Sequence, residues 1–168
     1  MKQLIAGMLA ATSWVAGAGP AGRVTILHTN DTHAHVDDGS VAFSEIAAEK
    51  ARLIAAGENV ILCDAGDYVQ GTALGGLDEG RTVIEIMNAA GYDVATLGNH
   101  EFDYGIPAML RNLKNSAFRN TSCNFLQRKS ADDPGRLLLP PFVVVTNGAV
   151  RVGFVGVTTP RALVSAKP

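Results

Sequence analysis

Histidine and carboxylate residues are concentrated in three short segments of the sequence, and each segment directly follows an apolar run. The segments comprise residues 28–35 (HTNDTHAH), 64–67 (DAGD) and 98–103 (GNHEFD), and the first and last contain all four histidines of the chain. Imidazole and carboxylate groups are ligands that hard and borderline divalent cations prefer, whereas a soft metal would require thiolates, which these segments lack. This composition indicates a site for a divalent cation.

Each of these residues also has an ordinary structural explanation when it is considered alone. Asp31 could cap a helix or a turn, and Asp67 could serve the tight turn after Gly66. His28 or His35 could be a hydrogen-bonded structural histidine rather than a ligand. A metal site is nevertheless favoured, because each of the three apolar runs is followed at the same distance by Asp, His or Asn. An ordinary solvent-exposed surface has no reason to show this regularity.

The apolar runs before these segments are predicted to be strands of one sheet. Residues 24–28 (VTILH), 59–63 (NVILC) and 93–97 (DVATL) are nearly continuous apolar runs, as expected for parallel strands covered on both faces. Longer amphipathic stretches alternate with them, which predicts βαβ units in an α/β fold with a mostly parallel sheet. In such a sheet the loops beyond the carboxyl ends of the strands converge, so we expect the three polar segments to meet there.

The amphipathic stretches predict three helices. Residues 41–56 and 81–90 have apolar side chains at helical spacing, and each stretch is followed by a glycine that can end a helix. A third helix is predicted to carry Pro107 in its first turn and to direct Leu110 and Leu113 inward.

Further along the chain the pattern changes from parallel units to a hairpin. A short strand is predicted at residues 120–125. Residues 142–146 and 150–157 are apolar runs that flank Asn147-Gly148, a strong short signal for a tight β-hairpin.

Length and composition are typical of one folded domain and exclude several other classes. The chain has 168 residues, of which 47% are hydrophobic and 18% charged, with a formal net charge of −2. This apolar content is enough for a buried core, so a disordered chain is excluded. The slightly negative charge offers no basic surface for a nucleic-acid polymer. Cys63 and Cys123 are too few for a disulfide framework; two buried free thiols are expected, with a disulfide in an exported protein as the alternative.

Residues 1–18 have the features of a secretory signal peptide. Lys2 gives a positive start, residues 4–15 are mostly apolar, and a small-residue cleavage pattern (AGA) follows at residues 16–18. The apolar stretch is shorter than the roughly 20 residues that span a bilayer, so we expect cleavage rather than a stable membrane anchor. The mature chain is then expected to begin at Gly19 and to be exported to the periplasm or the extracellular space.

The three polar segments together resemble the signature of the calcineurin-like metallophosphoesterase family. The residues that carry the resemblance are Asp31-x-His33, Gly66-Asp67 and Gly98-Asn99-His100-Glu101. The surrounding stretches LHTNDTHAH, DAGDYVQGT, LGNHEFDYG and GFVGVTTP are similar to those of secreted 5′-nucleotidases, a group that includes UDP-sugar hydrolases. The resemblance implies an α/β metallophosphoesterase sandwich that hydrolyses a phosphoric ester, with a nucleotide as substrate and a metal-activated water as nucleophile.

The resemblance also implies two divalent metal ions, and the residues leave their identity open among zinc, manganese, cobalt, magnesium and calcium. Four metal ligands follow from the matched motifs: Asp31, His33, Asp67 and Asn99. Asp67 would bridge the two ions. His100 would act as the catalytic histidine that stabilises charge on the phosphate in the transition state, and Asp103 would orient its ring. Three other polar residues have no direct role in the family pattern: His35, Asp64 and Glu101.

The sequence departs from the family pattern after His100. No histidine follows that residue, although the family supplies further histidine ligands from later loops, and no domain for the nucleoside base follows either. We therefore expect residues 19–168 to be the amino-terminal portion of a metallophosphoesterase domain, with weaker metal binding than a full ligand set provides. The alternatives are a non-catalytic remnant that binds metal or phosphate weakly, and the same chemistry on UDP-sugars, cyclic nucleotides or a sulfur ester. A dinucleotide-binding or P-loop module is excluded, because neither glycine motif follows a predicted strand.

Overall fold

A parallel four-stranded sheet forms the centre of the structure, a computed structural model that describes residues 22–37, 42–128, 130, 132–160 and 162. The predicted signal peptide, residues 1–18, lies outside the described residues. The strands, in spatial order, are β1 (Val24–Thr29), β2 (Asn59–Asp64), β3 (Val94–Thr96) and β4 (Arg119–Thr121). All three pairings are parallel, and each strand lies beside the one that precedes it in the chain. This arrangement confirms the predicted α/β fold.

The register of the sheet brings the first three strand ends to the same edge. Thr29 at the end of β1 lies opposite Asp64 at the end of β2, and Asp64 lies opposite Ala95 in β3. The predicted polar segments therefore leave the sheet side by side.

Four α-helices occur in the described residues, together with a 3₁₀ helix at His100–Phe102. The α-helices are α1 (Phe43–Ala55), α2 (Ala73–Leu77), α3 (Arg81–Ala90) and α4 (Gly105–Asn115). Helices α1, α3 and α4 correspond to the three predicted helices, whereas α2 had no counterpart in the sequence pattern. The described part of the chain contains no helix with both the length and the apolar character needed to cross a membrane.

The inward face of α4 differs from the prediction. Leu110 is 39% exposed, whereas Met109 and Asn112 are buried and Leu113 packs against the smaller apolar cluster as a partly buried residue. The NH₂ group of Asn112 donates a hydrogen bond to the Glu79 carbonyl at 2.8 Å, whereas its buried Oδ1 has no hydrogen-bond partner among the described residues. A polar residue therefore occupies part of the buried stripe that the apolar pattern assigned to Leu110.

The main core lies between the sheet and helices α1 and α3. Ile84 and Met87 of α3 are almost completely buried, and they pack with Leu62 of β2 and Ala95 of β3. Four aromatic rings belong to the same core, with contacting ring centroids 6.1 to 6.3 Å apart: Phe43, Tyr68, Tyr92 and Phe118. Such pairs add to the apolar burial that holds the strand ends in place.

The chain turns away from the sheet earlier than predicted after β4. The strand ends at Thr121, and the Thr121 hydroxyl and the Ser122 N–H both donate to the Pro140 carbonyl, at 2.8 and 3.1 Å. A small antiparallel pair follows, β5 (Leu126–Gln127) with β6 (Arg136–Leu137). The sequence pattern did not predict this pair.

A β-hairpin forms around Asn147-Gly148, as the sequence pattern predicts. Its antiparallel strands are β7 (Val143–Asn147) and β8 (Val150–Phe154), and Gly148 has a φ of +58°. The Asn147 amide donates to the Val60 carbonyl at 2.6 Å, and Arg119 donates to the Val144 carbonyl at 2.6 Å. These bonds attach the hairpin to the amino ends of β2 and β4.

A cleft of about 350 Å³ separates the sheet from residues 154–156. His28 and Cys63 line this cleft; His28 is exposed and is not one of the clustered residues described below. Cys63 and Cys123 are free thiols, as predicted, but both are half-buried rather than buried. Burial raises the pKa of the Cys63 thiol to about 11, and the nearby Asp64 and Asp93 carboxylates raise it further.

Candidate metal centre

The segment after β1 continues alongside the segment after β2 beyond the edge of the sheet. Three backbone hydrogen bonds of 2.9 to 3.0 Å join the two segments, from Asp31 N–H to Gly66 carbonyl, from His33 to Asp67 and from Ala34 to Tyr68. These bonds place the side chains of the first segment against those of the second.

The same segments have an unusual backbone conformation. Four of their non-glycine residues lie in the left-handed region: Asp31 (φ 52°), His33 (φ 49°), Ala34 (φ 55°) and Asp67 (φ 62°). This conformation costs a residue with a side chain on the order of 1 kcal/mol or more, so surrounding contacts must maintain it. Local strain of this kind is common where the backbone aims side chains at a functional site.

The three loops bring His33, Asp67 and His100 into one cluster. One potential ligand atom from each residue lies within 4.8 Å of those of the other two, and all three side chains are partly buried. The imidazole rings of His33 and His100 meet edge to face, with centroids 4.9 Å apart and an interplanar angle of 68°. The family resemblance implies that His100 is not a metal ligand, whereas the structure puts its ring within reach of the same point.

Hydrogen bonding determines which nitrogen of His33 faces a ligand. His33 Nδ1 lies 3.1 Å from the Gln70 carbonyl oxygen. Because a carbonyl oxygen only accepts hydrogen bonds, the ring proton belongs on Nδ1, which leaves the lone pair of Nε2 available. A neutral imidazole oriented in this way is a suitable metal ligand.

His100 is held at both its backbone and its ring. Its backbone N–H donates to Asp67 Oδ1 at 2.8 Å, and its Nδ1 donates to Asp103 Oδ2 at 2.7 Å. Partial burial lowers the pKa of the imidazole, but the hydrogen bond and charge of Asp103, with the charges of Asp67 and Glu101, outweigh it, so the pKa of His100 is raised. The structure therefore joins His100 and Asp103 in the pairing that the resemblance implies.

Asp31 lies at the border of the cluster. Its Oδ1 is 3.8 Å from His33 Nε2, and its side chain is 59% exposed. Asn99 immediately precedes His100 and the 3₁₀ helix. His35 is exposed and is not one of the three clustered residues.

Close approach between the second and third loops depends on Gly98. A Cβ atom at this position would lie 2.2 Å from Asp67 Oδ1 and 2.7 Å from its backbone nitrogen. Real Cβ contacts are never this short, so no residue with a side chain fits without displacing Asp67.

Two buried carboxylates lie next to the loops. Asp64 and Glu101 are each 4% exposed. Burial raises the pKa of Asp64 to about 8 and that of Glu101 to about 7. The hydrogen bonds that the two carboxylates accept lower both pKa values and so partly offset the effect of burial. Asp64 accepts bonds from the Thr29 hydroxyl at 2.5 Å and the Gly66 N–H at 2.7 Å. The family motif includes Glu101 without assigning it a direct role. The only feature of the sequence that could have indicated its role is its place between His100 and the apolar Phe102.

The donor set of the cluster fits a divalent cation. It combines two imidazoles with a carboxylate, and a second carboxylate, Asp31, lies at the border. Imidazole nitrogen and carboxylate oxygen suit zinc, manganese and similar ions, whereas a thiolate-binding metal would find no sulfur in this cluster.

The fold and the cluster define the class of protein. Residues 24–151 match the calcineurin-like phosphoesterase family, which is more than half of the chain, and the chain belongs to this family.

Several proteins similar to the chain are 5′-nucleotidases. The snake venom 5′-nucleotidase of Gloydius brevicauda is 36% identical over 158 residues, covering 86% of this chain and 27% of the relative. The human 5′-nucleotidase is 36% identical over 165 residues, covering 90% and 28%. The crystal structure of a 5′-nucleotidase precursor from Thermus thermophilus superposes with a TM-score of 0.71 at 32% identity, covering 82% of this chain and 29% of that one. The chain thus spans little more than a quarter of the length of these relatives.

Proposed function

We propose that the protein to which this chain belongs is a metal-dependent phosphoester hydrolase of the 5′-nucleotidase type, with a nucleotide as substrate. The observation that carries this proposal is the convergence of His33, Asp67 and His100 from three strand-end loops, with Asp103 hydrogen-bonded to His100. Family membership and the similarity to 5′-nucleotidases support the same reaction.

The proposed metal ligands come from all three loops: Asp31, His33, Asp67 and Asn99. Asp67 is proposed to serve two divalent ions, because its carboxylate lies between the first and third loops and has two oxygens to offer. If two such ions are bound, they would supply a Lewis acid for the phosphate ester and a water of lowered pKa for in-line attack. His33 contributes its Nε2 lone pair, because its Nδ1–H donates a hydrogen bond to the Gln70 carbonyl.

His100 and Asp103 are proposed to act on the phosphate. Asp103 fixes the ring through Nδ1, so Nε2 faces away from Asp103. The Nε2–H group can then donate a hydrogen bond to a phosphate oxygen. The raised pKa of His100 favours the charged imidazolium, which stabilises negative charge that develops in the transition state. Asp103 Oδ1 is buried without a hydrogen-bond partner among the described residues, so the Asp103 carboxylate has no second donor that competes with His100.

Metal binding and turnover measured together test the proposal. The protein to which this chain belongs is dialysed against a chelator, Mn²⁺ or Zn²⁺ binding is measured by calorimetry, and hydrolysis of AMP and of p-nitrophenyl phosphate is assayed with and without the metal. Metal-dependent release of phosphate from AMP is expected. Metal binding with no turnover of either ester would overturn the hydrolase assignment in favour of a non-catalytic binder, and absence of binding would overturn the metal site. Asp67→Asn is the matched variant, and it is expected to weaken binding of both ions together.

We also propose that the protein is exported to the periplasm or the extracellular space. Relatives described as snake venom 5′-nucleotidases support export, and residues 1–18 have signal-peptide features. Amino-terminal sequencing of the protein after expression in its native host tests this proposal. A mature chain that begins at Gly19 is expected, and a protein that stays inside the cell and retains Met1 would contradict export.

A further inference from the structure

We propose that Glu101 is a positioning residue that holds Asp67 in the conformation in which its carboxylate faces His33 and His100. The inference rests on the proposed function, because it concerns the same metal centre. It assigns to Glu101 a role in metal affinity, although the described contacts of its carboxylate are to the backbone.

Glu101 connects two of the three loops through a single buried carboxylate. Its Oε2 accepts the N–H of Asp67 at 2.9 Å and that of Gly98 at 2.6 Å, and its Oε1 accepts the N–H of Tyr68 at 2.8 Å. The side chain starts from the 3₁₀ helix and is almost completely buried, so water is poorly placed to replace these bonds.

The loop after β2 needs such an acceptor because of its backbone shape. Asp67 has a φ of +62°, a left-handed conformation that residues with a side chain rarely adopt, although aspartate tolerates it better than most. Its N–H and that of Tyr68 both go to Glu101, and the preceding N–H, that of Gly66, goes to Asp64. Three consecutive N–H groups are therefore bound by two buried carboxylates, which compensates for the strained conformation.

The position of Asp67 in turn determines the shape of the cluster. Its Oδ1 accepts the backbone N–H of His100 and lies against Gly98 with no room for a Cβ. A shift of the Asp67 backbone therefore moves its carboxylate relative to His33 and loosens His100 at the same time. Partners of metal ligands commonly change metal affinity by 10- to 100-fold when they are removed.

Glu101→Gln is the sharpest variant, since it keeps size and shape but changes the hydrogen bonding. A carboxylate has two accepting oxygens, whereas the amide NH₂ of glutamine only donates and would face at least one of the three loop N–H groups. Asp93→Asn is the matched control. Asp93 also accepts a backbone N–H, from Leu62 at 2.8 Å, but it belongs to the packing of α1 against the sheet and not to the cluster.

The experiment measures the Mn²⁺ dissociation constant, the visible spectrum of the Co²⁺-loaded protein and the unfolding temperature for the full chain and both variants. We expect Glu101→Gln to weaken Mn²⁺ binding at least ten-fold and to change the Co²⁺ spectrum. Asp93→Asn is expected to lower the unfolding temperature while its Mn²⁺ dissociation constant stays within about two-fold of wild type. A folded Glu101→Gln protein with wild-type Mn²⁺ affinity and Co²⁺ spectrum would overturn the inference.

A second variant decides the matter if Glu101→Gln does not fold. Glu101→Asp keeps the negative charge, but its carboxylate is one methylene too short to reach both loops at the observed distances. Weakened Mn²⁺ binding by this variant supports the inference, and unchanged binding overturns it. A wild-type chain that binds no Mn²⁺ would instead overturn the proposed function itself, so the two failures are distinguishable.

Discussion

At the scale of single residues, His100 is the position where two roles compete. Its Nδ1 is committed to Asp103, so only Nε2 is available, and this atom can face either a metal ion or a phosphate oxygen. A ring protonated on both nitrogens cannot ligate a cation but can donate to a phosphate oxygen, so the two roles exclude each other.

Replacement of His100 separates these roles. His100→Ala is expected to lower AMP turnover by about 100-fold or more, as loss of a charged hydrogen-bond donor to the transition state does, while Mn²⁺ binding changes little. Turnover and Mn²⁺ titration on the same preparation measure this, with Asp103→Asn as the companion variant that should lose turnover to a smaller extent. An equal loss of bound metal in His100→Ala would identify His100 as a ligand.

Gly98 provides a second test at residue scale. Gly98→Ala is expected to displace Asp67, because the new Cβ would lie 2.2 Å from its Oδ1, and so to weaken Mn²⁺ binding and destabilise the fold by about 1–3 kcal/mol. Gly153→Ala is the control, since a Cβ there meets no atom within 4 Å and the residue lies in β8. Calorimetry and thermal unfolding of both variants measure the difference. Similar behaviour of the two variants would contradict the close packing of Gly98 against Asp67.

The types and spacing of the candidate site residues were predictable from the sequence. The backbone conformation and hydrogen bonds that hold them in place were not. Asp31, His33 and Asp67 stand at strand ends that the apolar runs already indicate, and the parallel sheet brings strand ends together. The left-handed conformation of these residues was not predictable, because it arises from bonds between loops and opposes the local preference of the chain. The three bonds of Glu101 depend on the same tertiary arrangement.

At the scale of elements, helix α1 is joined to the sheet by an ion pair. Lys50 Nζ lies 2.8 Å from Asp93 Oδ2, with side-chain exposures of 14% and 32%, and it also donates to the Gly91 carbonyl. A second pair on the same helix, Arg52 with Glu49, lies on the surface. The two pairs therefore allow a comparison within one element.

Lys50→Ala is expected to lower the free energy of unfolding by about 1–3 kcal/mol, because Asp93 and the Gly91 carbonyl lose a partner in a poorly hydrated position. Arg52→Ala is expected to change stability little, because its charges stay in water. Urea unfolding followed by circular dichroism measures both. Equal effects of the two substitutions would mean that the Lys50 pair does not connect α1 with the sheet.

Elements with strong periodicity were predicted well, and short ones were not. The apolar runs and terminal glycines located β1, β2, α1 and α3 closely, because burial and helix ends have local signals. Helix α2 (ALGGL) contains two glycines and is too short for a periodic pattern. The strands β5 and β6 have two residues each and depend on pairing across a loop. The face of α4 was misjudged, because Asn112 is buried through a tertiary hydrogen bond.

At the scale of the whole molecule, the buried acids make stability depend on pH. The pKa of Asp64 rises from an ordinary 3.8 to about 8 on folding, and that of Glu101 from 4.5 to about 7. The folded state then binds more protons than the unfolded state between these values, so stability is highest below about pH 4 for these groups and falls as pH rises to about 8.

The metal-free chain is therefore expected to unfold at lower temperature at about pH 8 than at about pH 5. Asp64→Asn, which resembles the protonated acid, should flatten this dependence, whereas Asp37→Asn at an exposed position should not. Thermal unfolding in chelator across this range measures the slopes. An unchanged slope in Asp64→Asn would show that this carboxyl does not take up its proton on folding.

The order of the strands has a consequence for how the protein is made. In the described sheet each strand pairs with the strand synthesised just before it, and no later segment is inserted between two earlier ones. A nascent chain leaving the ribosome can therefore add β1 to β4 in the order of translation, with short loop closures at each step. His33, Asp67 and His100 all precede β4, so we expect the growing polypeptide to hold its cluster once Thr121 has emerged.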